Sequence, residues 1–173
     1  KNIKFKNFQI KNLSMAISAA KLCNLKEKEI FLSLNKIKDV NGRLELVKIF
    51  CNNVRVYVDF AHTPDALLKS ITALEESDNK NVSIVFGCGG NRDFKKRPLM
   101  GKIASQNCKN IYVTDDNPRD EKPEKIRNEI IKVIKNKNCY NIKNRSLAIK
   151  TAIINAEPNE IILIAGKGHE SQQ

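Results

Sequence analysis

Short apolar segments alternate with longer helix-forming segments over most of this chain. The runs SIVF (83–86) and IILIA (161–165) are apolar at almost every position and do not alternate with polar residues. Such runs are typical of strands in a parallel sheet, because helices on both faces of that sheet bury both faces of each strand. The pattern predicts an α/β domain with a Rossmann-like, mostly parallel sheet and helices on both faces.

The other elements of this domain follow from residue 43 onward. Two β-type runs, 44–50 and 54–60, flank the pair Asn52-Asn53, which favours a hairpin turn, so the sheet should begin with an N-terminal hairpin strand. Downstream we predict helices and strands in alternation: helix 65–76, strand 82–86, helix 96–106, strand 111–114, helix 123–134, a weak strand at 140–142, helix 146–156 and strand 161–165.

Residues 1–42 differ from the rest and form the first of two predicted domains. Helical spacing of apolar residues predicts two short helices, 13–22 and 27–34. Two helices of this length bury little apolar surface by themselves, so we interpret them as the helical C-terminal end of a larger domain. The Asn41-Gly42 turn signal marks the boundary, and residues 43–173 form the second domain.

Composition and charge limit the classes of protein that remain. The chain has no apolar run near the roughly 20 residues that a membrane helix needs, so we expect no membrane insertion. Its five cysteines form no CxxC pair, which argues against a zinc site or a disulfide framework and favours the reducing cytoplasm.

The net charge of +12 leaves a polyanionic partner open. The lysines are scattered, however, and aromatic residues make up only 6% of the chain, so no stacking surface for bases is indicated. We expect no nucleic acid partner. A basic nucleotide- or nucleic-acid-binding α/β domain remains an alternative, which a salt-dependent gel shift would test.

Each of four predicted strands is followed by a cluster of polar residues and glycines. The clusters are 59–65 (DFAHTPD), 87–93 (GCGGNRD), 115–119 (DDNPR) and 166–170 (GKGHE). Ligands of open α/β sheets bind beyond the carboxyl ends of the strands. We therefore predict one binding site at the edge of the sheet where these four clusters meet.

Taken one at a time, most of these clusters have an ordinary structural explanation. Thr63-Pro64 is a typical helix N-cap followed by proline in the first turn. The turn at 87–90 lacks the GxGxxG order, and its glycines can serve a tight turn alone. The segment 166–169 lacks the GxxxxGK[ST] pattern, so it is not a phosphate loop.

Four bases open the helix predicted at 96–106. Arg92, Lys95, Lys96 and Arg97 lie where positive charge opposes the helix dipole. They are either a solvated helix start or the neighbours of an anionic ligand, and the sequence leaves both interpretations open.

The cluster DDNPR has the most specific chemistry. Arg119 can bind a carboxylate through two parallel hydrogen bonds, and Asp116 and Glu170 can accept hydrogen bonds from an ammonium group. Asn117 offers both a donor and an acceptor. Together these side chains would form a receptor for the zwitterionic head group of an amino acid. The alternative is an Asx turn with a surface arginine.

In their order along the chain, these segments resemble the Mur ligase family of cell-wall enzymes. The likeness covers nearly the whole chain and is carried by FQIKN (8–12), GRLE (42–45), DFAHTPDAL (59–67), GCGGNRDFKKRPLMG (87–101), DDNPR (115–119) and GKGHE (166–170). Within the family, DNPR is similar to the signature of members that add diaminopimelate, whereas lysine-adding relatives differ after the proline. A lysine-adding ligase remains an alternative.

The resemblance implies roles for ten residues. Diaminopimelate would be held by Arg92, Asp116, Asn117, Arg119, Gly166 and Glu170. The nucleotide side would comprise Asn12 and Arg43, in contact with ATP, together with Asp59 and His62. The resemblance assigns no catalytic residue and no metal ligand to this chain.

The resemblance also implies a reaction, that of an ATP-dependent acid–amino-acid ligase of peptidoglycan synthesis. With ATP and Mg²⁺, such an enzyme would activate the dipeptide carboxylate of UDP-MurNAc-L-Ala-D-Glu as an acyl phosphate, which the amine of meso-diaminopimelate attacks. No phosphate-loop sequence occurs in the chain. We therefore expect a monomeric C-terminal fragment, inactive alone, whose central ATP-binding domain would hold most of the Mg²⁺ and ATP contacts.

Overall fold

The computed structural model describes residues 7–38, 40–78, 81–135, 138–168 and 170. The chain divides into two compact units, Lys1–Val40 and Asn41–Gln173. None of the helices in the described ranges is both long enough and apolar enough to cross a membrane.

The first unit contains helix α1 (Asn7–Leu22) and helix α2 (Glu27–Leu34). The predicted bounds of α2 are confirmed, whereas α1 begins before the predicted start at residue 13. Apolar and polar residues alternate over 7–12, and this spacing does not indicate a helix. Ile30 is the only buried apolar side chain among the described residues of this unit.

The second unit contains every other predicted element, each with bounds within three residues of the prediction. In chain order these are β1 (Glu45–Ile49), β2 (Arg55–Asp59), α3 (Pro64–Asp78), β3 (Val82–Phe86), α4 (Lys96–Asn107), β4 (Ile111–Val113), α5 (Pro123–Ile131), β5 (Cys139–Asn141), α6 (Arg145–Ile154) and β6 (Ile161–Ala165).

The six strands form one sheet in the order β1-β2-β6-β3-β4-β5. β1 runs antiparallel to β2, and every other neighbouring pair is parallel. The hairpin between β1 and β2 turns at Asn53, which adopts a positive φ of 59°, and the Phe50 N–H donates to the Val54 carbonyl oxygen. The predicted mostly parallel sheet with an N-terminal hairpin strand is confirmed.

Helices cover both faces of the sheet. On one face, Ile84 of β3 belongs to a buried cluster with Met100 of α4 and Ile130 of α5. On the other face, Val85 belongs to a second cluster with Ala148 and Ala152 of α6. Adjacent residues of a strand point to opposite faces, so a strand that is apolar at every position serves both clusters.

The parallel strands place four loops at one edge of the sheet. β2, β3, β4 and β6 end at Asp59, Phe86, Val113 and Ala165, and each is followed by one of the four polar clusters. Because these strands run in the same direction, their carboxyl ends lie at the same edge. This edge carries the candidate site.

Candidate functional site

A cleft of about 450 Å³ opens at this edge, and we call it the strand-end cleft. Residues from all four polar clusters line it. The structure brings together seven of the ten predicted site residues there: His62, Arg92, Asp116, Asn117, Arg119, Gly166 and Glu170. Their binding roles stay predictions.

Arg119 is exposed and lies on a turn with a positive φ of 50°, which is uncommon for a residue with a side chain. Its Nη1 donates to the Gly90 carbonyl oxygen at 2.8 Å and lies 3.5 Å from the Asn117 carbonyl oxygen. Within the described part of the chain, its Nε and Nη2 have no hydrogen bond to protein. The guanidinium is therefore anchored at one nitrogen and keeps donors for a ligand.

The glycine turn packs directly against the DDNPR loop. A Cβ on Gly90 would lie 1.8 Å from the Pro118 carbonyl oxygen, so only glycine permits this approach. The Gly90 N–H donates to the Asn117 carbonyl oxygen at 2.8 Å. The glycines were predicted to serve a tight turn, and at Gly90 the structure adds close contact between two loops.

Asp116 and the end of β6 meet on another wall of the cleft. The Asn117 N–H donates to Asp116 Oδ1 at 2.6 Å, which fixes the carboxylate to its own loop. A Cβ built on Gly166 would lie 3.4 Å from Asp116 Oδ2, so the Gly166 backbone passes close to that oxygen. Glu170 follows on the same side and lines the cleft, while His169 lies outside the described residues.

An ion-pair network centred on the buried Arg97 links the glycine turn to the segment that follows the DDNPR loop. Arg97 is 1% exposed and bonds both oxygens of Glu121, at 2.7 and 2.9 Å, and Glu129 at 2.8 Å. Glu121 Oε1 also accepts the Asn91 N–H at 2.7 Å. The hydrogen bonds from Arg97 are the main reason that the pKa of Glu121 falls to about 2.

The two interpretations offered for Arg97 were therefore wrong. Its guanidinium is neither solvated nor turned toward the strand-end cleft, since acids of other segments surround it and its Nη2 donates to the Gly89 carbonyl oxygen at 3.2 Å. Arg92 and Lys96 do line the cleft.

The two aspartates of DDNPR have different surroundings. Asp115 forms an ion pair with Arg127 of α5, whose Nε donates to Asn141 Oδ1 at 2.7 Å. Asp116, the next residue, lines the cleft. The first aspartate thus joins the loop to α5 and β5, and the second is available to a ligand.

Arg145 is a residue that the sequence analysis missed. It is the first residue of α6, is buried, and donates from Nη2 to the Ala165 carbonyl oxygen at 2.8 Å. Burial lowers the pKa of Arg145, and the charges of Asp116 and Glu170 act in the opposite direction. A base at the first position of a helix, where it opposes the dipole, is the signal that could have found it.

Asp59 is surrounded by hydrogen-bond donors of the fold. It is buried, and its carboxylate accepts hydrogen bonds from the Leu44 N–H at 2.7 Å, the Ala61 N–H at 2.8 Å and the Ser70 hydroxyl at 3.0 Å. These bonds join β1, the end of β2 and α3. Asp59 does not belong to the lining of the strand-end cleft.

Arg43 and His62 both contact the ring of Phe60. The Arg43 guanidinium carbon lies 4.3 Å from the centre of that ring, within cation–π range. The His62 ring packs edge-on against it at 4.7 Å, and its Nδ1 lies 3.0 Å from the Phe60 carbonyl oxygen. This group offers a cation and two aromatic surfaces, which suits a nucleotide. Asn12 is an exposed residue of α1 in the first unit.

The cleft offers little for covalent or metal chemistry. Burial raises the pKa of the Cys88 thiol to about 11, so the thiol stays protonated near neutral pH and is a poor nucleophile. In the described ranges no group of three or more His, Cys, Asp or Glu side chains could hold a metal ion. We therefore assign no Mg²⁺ ligand among the described residues and derive no step through the ion.

A comparison with known protein families identifies the class to which this domain belongs. The family model described as "Mur ligase, glutamate ligase domain" matches residues 42–168. The chain belongs to the Mur ligase family.

Comparison with curated proteins shows which members of this family the chain is similar to. The chain is 46% identical over 169 residues to UDP-N-acetylmuramoyl-L-alanyl-D-glutamate–2,6-diaminopimelate ligase of Rickettsia bellii, covering 96% of this chain and 35% of the relative. It is 43% identical over 170 residues to the protein of the same name from Coxiella burnetii, covering 98% and 35%. The chain thus spans about a third of the length of these relatives.

Solved structures agree with this placement. A structure of a UDP-N-acetylmuramoyl-L-alanyl-D-glutamate–2,6-diaminopimelate ligase superposes with a TM-score of 0.73 at 34% identity, covering 98% of this chain and 35% of that chain. UDP-N-acetylmuramate–alanine ligase from Thermotoga maritima superposes with a TM-score of 0.69 at 18% identity, covering 95% and 35%, and shares the fold.

Proposed function

We propose that this chain is the amino-acid-selecting part of a ligase that adds meso-diaminopimelate to UDP-MurNAc-L-Ala-D-Glu. The observation that carries the proposal is the meeting of Arg119 with Asp116 and Glu170 around one cleft. A guanidinium opposite two carboxylates matches the carboxylate and the ammonium of an amino-acid end. The names of the 46% and 43% identical relatives support diaminopimelate as that amino acid.

In this proposal the distal end of diaminopimelate lies in the strand-end cleft. Arg119 receives the distal carboxylate through its remaining donors, with Arg92 beside it. Asp116 and Glu170 receive the distal ammonium. The Asn117 side chain and the Gly166 backbone complete the contacts, as both line the cleft.

Selection against lysine follows from the same geometry. Lysine has no distal carboxylate, so it would leave the donors of Arg119 unpaired once the cleft is closed by substrate. Sites built on such polar pairs reject the deficient analogue by about 10⁴-fold. The side-chain amine of lysine would still meet the acids, which is why the arginine decides the specificity.

We further propose that Asn12, Arg43 and His62 contact ATP, and that Asp59 holds the backbone next to Arg43 and His62 in place. The cation–π contact of Arg43 with Phe60 and the edge contact of His62 support a nucleotide-facing surface. Asp59 fixes the Leu44 and Ala61 amides that flank Arg43 and His62. ATP supplies the phosphoryl group that activates the dipeptide carboxylate as an acyl phosphate, which the amino-acid amine attacks.

We propose that residues 1–42 are the end of a central ATP-binding domain and that residues 43–173 are the C-terminal domain. The exposed apolar side chains of α1 and α2, among them Met15, Leu22 and Phe31, support a larger first domain. This chain alone would not ligate, because no phosphate-loop sequence occurs in it. All five cysteines are free thiols, which supports action in the cytoplasm.

Replacing Arg119 in the full-length ligase tests the proposal. We expect Arg119→Ala to lower kcat/KM for meso-diaminopimelate by at least about 100-fold, because it removes a hydrogen-bonded charge pair with the substrate. The KM for ATP should stay within about twofold. Steady-state kinetics with meso-diaminopimelate, L-lysine and ATP measure both effects.

Arg43→Ala is the matched control, because it removes a cation that lies outside the cleft lining. It should raise the KM for ATP and leave the KM for diaminopimelate near its original value. Unchanged diaminopimelate kinetics in Arg119→Ala would refute the proposal. A preference of the unaltered ligase for lysine would assign it to the lysine-adding branch.

A further inference from the structure

Arg145 brings a positive charge into the interior beside the strand-end cleft. It is 7% exposed and begins α6, directly after the cap residue Asn144. Its Nη2 donates to the Ala165 carbonyl oxygen at 2.8 Å. Gly166, whose backbone passes close to Asp116, is the next residue. Arg145 thus supports the end of β6 where that strand enters the cleft.

Several features of Arg145 are unfavourable for folding. Across the described residues, its Nη1 is buried without a hydrogen-bond partner, and an unmet donor of this kind is destabilising. Its positive charge lies at the N-terminus of a helix, where the dipole disfavours it. Burial lowers the pKa of its guanidinium, which shows that the charged form is desolvated. These features reduce what Arg145 contributes to the stability of the fold.

The charges that Arg145 faces belong to the cleft. Asp116 and Glu170 attract it electrostatically, and both line the cleft. Without ligand, these two carboxylates repel each other. The cations of the cleft lining are Arg92, Lys96 and Arg119, which are exposed or half-buried. Arg145 lies behind that lining and is buried, so water screens its charge less than it screens theirs.

We propose that Arg145 is a positioning residue for the amino-acid site, which holds Asp116 and Glu170 together as the paired acceptor of the substrate ammonium. Its hydrogen bond to Ala165 fixes one side of the pair, and its charge offsets their mutual repulsion. This role rests on the proposed function of the cleft. It accounts for a buried base whose charge faces the acids of the cleft.

The test compares Arg145→Met and Arg145→Lys in the full-length ligase. Methionine fills similar space without charge, and we expect it to raise the KM for meso-diaminopimelate at least tenfold, with the KM for ATP within twofold. The Tm should stay near its original value, because the lost hydrogen bond to Ala165 is offset by removal of the desolvated charge and the unmet donor. Lysine keeps the charge and should bring the KM for diaminopimelate to within about threefold of the original.

A purely structural role gives the opposite pattern. Arg145→Met would then lower the Tm and impair both substrates, and this outcome overturns the proposal. The proposal is also overturned if Arg145→Lys raises the amino-acid KM as much as Arg145→Met does. The positive charge would then not be what positions the acids. A methionine variant that does not fold is the extreme form of the structural outcome and also overturns the proposal.

A double variant separates this proposal from the proposed function. If Arg145 acts through Glu170, Arg145→Met should raise the amino-acid KM much less in a ligase that already carries Glu170→Gln than in the unaltered ligase. Additive effects of the two substitutions on this KM overturn the proposal. The cycle is run with whichever amino acid the unaltered ligase uses. A ligase that uses an amino acid other than diaminopimelate would refute the proposed function while still deciding the role of Arg145.

Discussion

The hydrogen bond from Arg119 Nη1 to the Gly90 carbonyl oxygen ties the proposed selectivity residue to the glycine turn. The position of the guanidinium therefore depends on how closely the two loops approach. That approach depends on Gly90, where a Cβ would overlap the Pro118 carbonyl group. Side-chain placement and backbone packing are coupled at this single point.

We predict that Gly90→Ala lowers the free energy of unfolding by about 2 kcal/mol or more, since two backbones have to separate. Urea unfolding of the 173-residue chain, followed by circular dichroism, measures the change.

Gly89→Ala is the matched control for this variant. Its Cβ would lie 2.8 Å from Arg119 Nη1, at the end of a flexible side chain, and 3.4 Å from the Asn117 carbonyl oxygen, which is an ordinary contact distance. It should therefore unfold close to the original chain. Equal destabilisation by the two alanines would show that the contact with Pro118 is not the reason for Gly90.

Glu121 gives the network around Arg97 a pH dependence. Its pKa is lowered from 4.5 to about 2 in the folded chain, mainly by hydrogen bonds from Arg97. A lowered folded-state pKa stabilises the fold fully above the unfolded value, and this contribution is lost as pH falls from about 4.5 toward 2. We predict that Glu121→Gln lowers the Tm at pH 7 and that the difference from the original chain shrinks at pH 3.

Thermal unfolding of both proteins between pH 7 and pH 3 measures that difference. Glu124→Gln on α5 is the comparison, because it replaces an exposed acid outside this network. A difference between Glu121→Gln and the original chain that stays constant over this range would contradict the assignment.

At the residue scale, the sequence could predict most of the side chains that line the cleft but not the side chains that hold them in place. DDNPR and GKGHE are local patterns, so their chemistry was visible in a few consecutive residues. Arg97 is hydrogen-bonded to Glu121 and Glu129, which lie 24 and 32 positions away in the sequence. Arg145 is hydrogen-bonded to the carbonyl oxygen of a residue 20 positions away. Such pairs depend on how the helices pack, which no short pattern encodes.

Among the elements, α4 and α5 pack with their backbones in close approach. A Cβ on Gly101 of α4 would lie 2.3 Å from the Ile130 carbonyl oxygen of α5. This contact brings α5 close behind the glycine turn, and α5 supplies Glu129 to Arg97.

We predict that Gly101→Ala lowers the free energy of unfolding by about 2 kcal/mol, since the two helices have to move apart. Lys102→Ala, on the exposed side of the same helix, should change it by less than about 0.5 kcal/mol. Urea titration of the three proteins gives the comparison. An unchanged midpoint for Gly101→Ala would mean that α5 shifts freely, and the network around Arg97 would then be loosely held.

Element types and order could be predicted because the central strands β3 and β6 are apolar at almost every position and the helices keep their apolar spacing. The predictions failed only at ends, where both signals weaken. α5 ends at Ile131, before the predicted residue 134, although Ile134 continues the apolar spacing. The Ile134 N–H donates to the Ile131 carbonyl oxygen in a turn after the helix.

For the molecule as a whole, the two units differ in how much core each contains. The second unit contains two buried apolar clusters, one on each face of the sheet. In the described part of the first unit, the only buried apolar side chain is Ile30. The parallel sheet also explains why sequence could predict the location of the site, because its strand direction brings the four polar clusters to one edge.

We predict that residues 41–173 fold without residues 1–40, since the cores of the sheet lie within them. The shortened chain should unfold cooperatively with a Tm within about 4 °C of the 173-residue chain. Differential scanning calorimetry measures both transitions. A broad, non-cooperative transition in the shortened chain would contradict the division into two units.

The order of strands in the sheet also bears on synthesis in the cell. β6 is the last strand in the sequence, yet it lies between β2 and β3 and pairs with both. A nascent chain that has left the ribosome only as far as residue 160 therefore holds two partial sheets with open inner edges. Such edges readily pair with other polypeptides. Both edges close when β6 pairs with β2 on one side and β3 on the other.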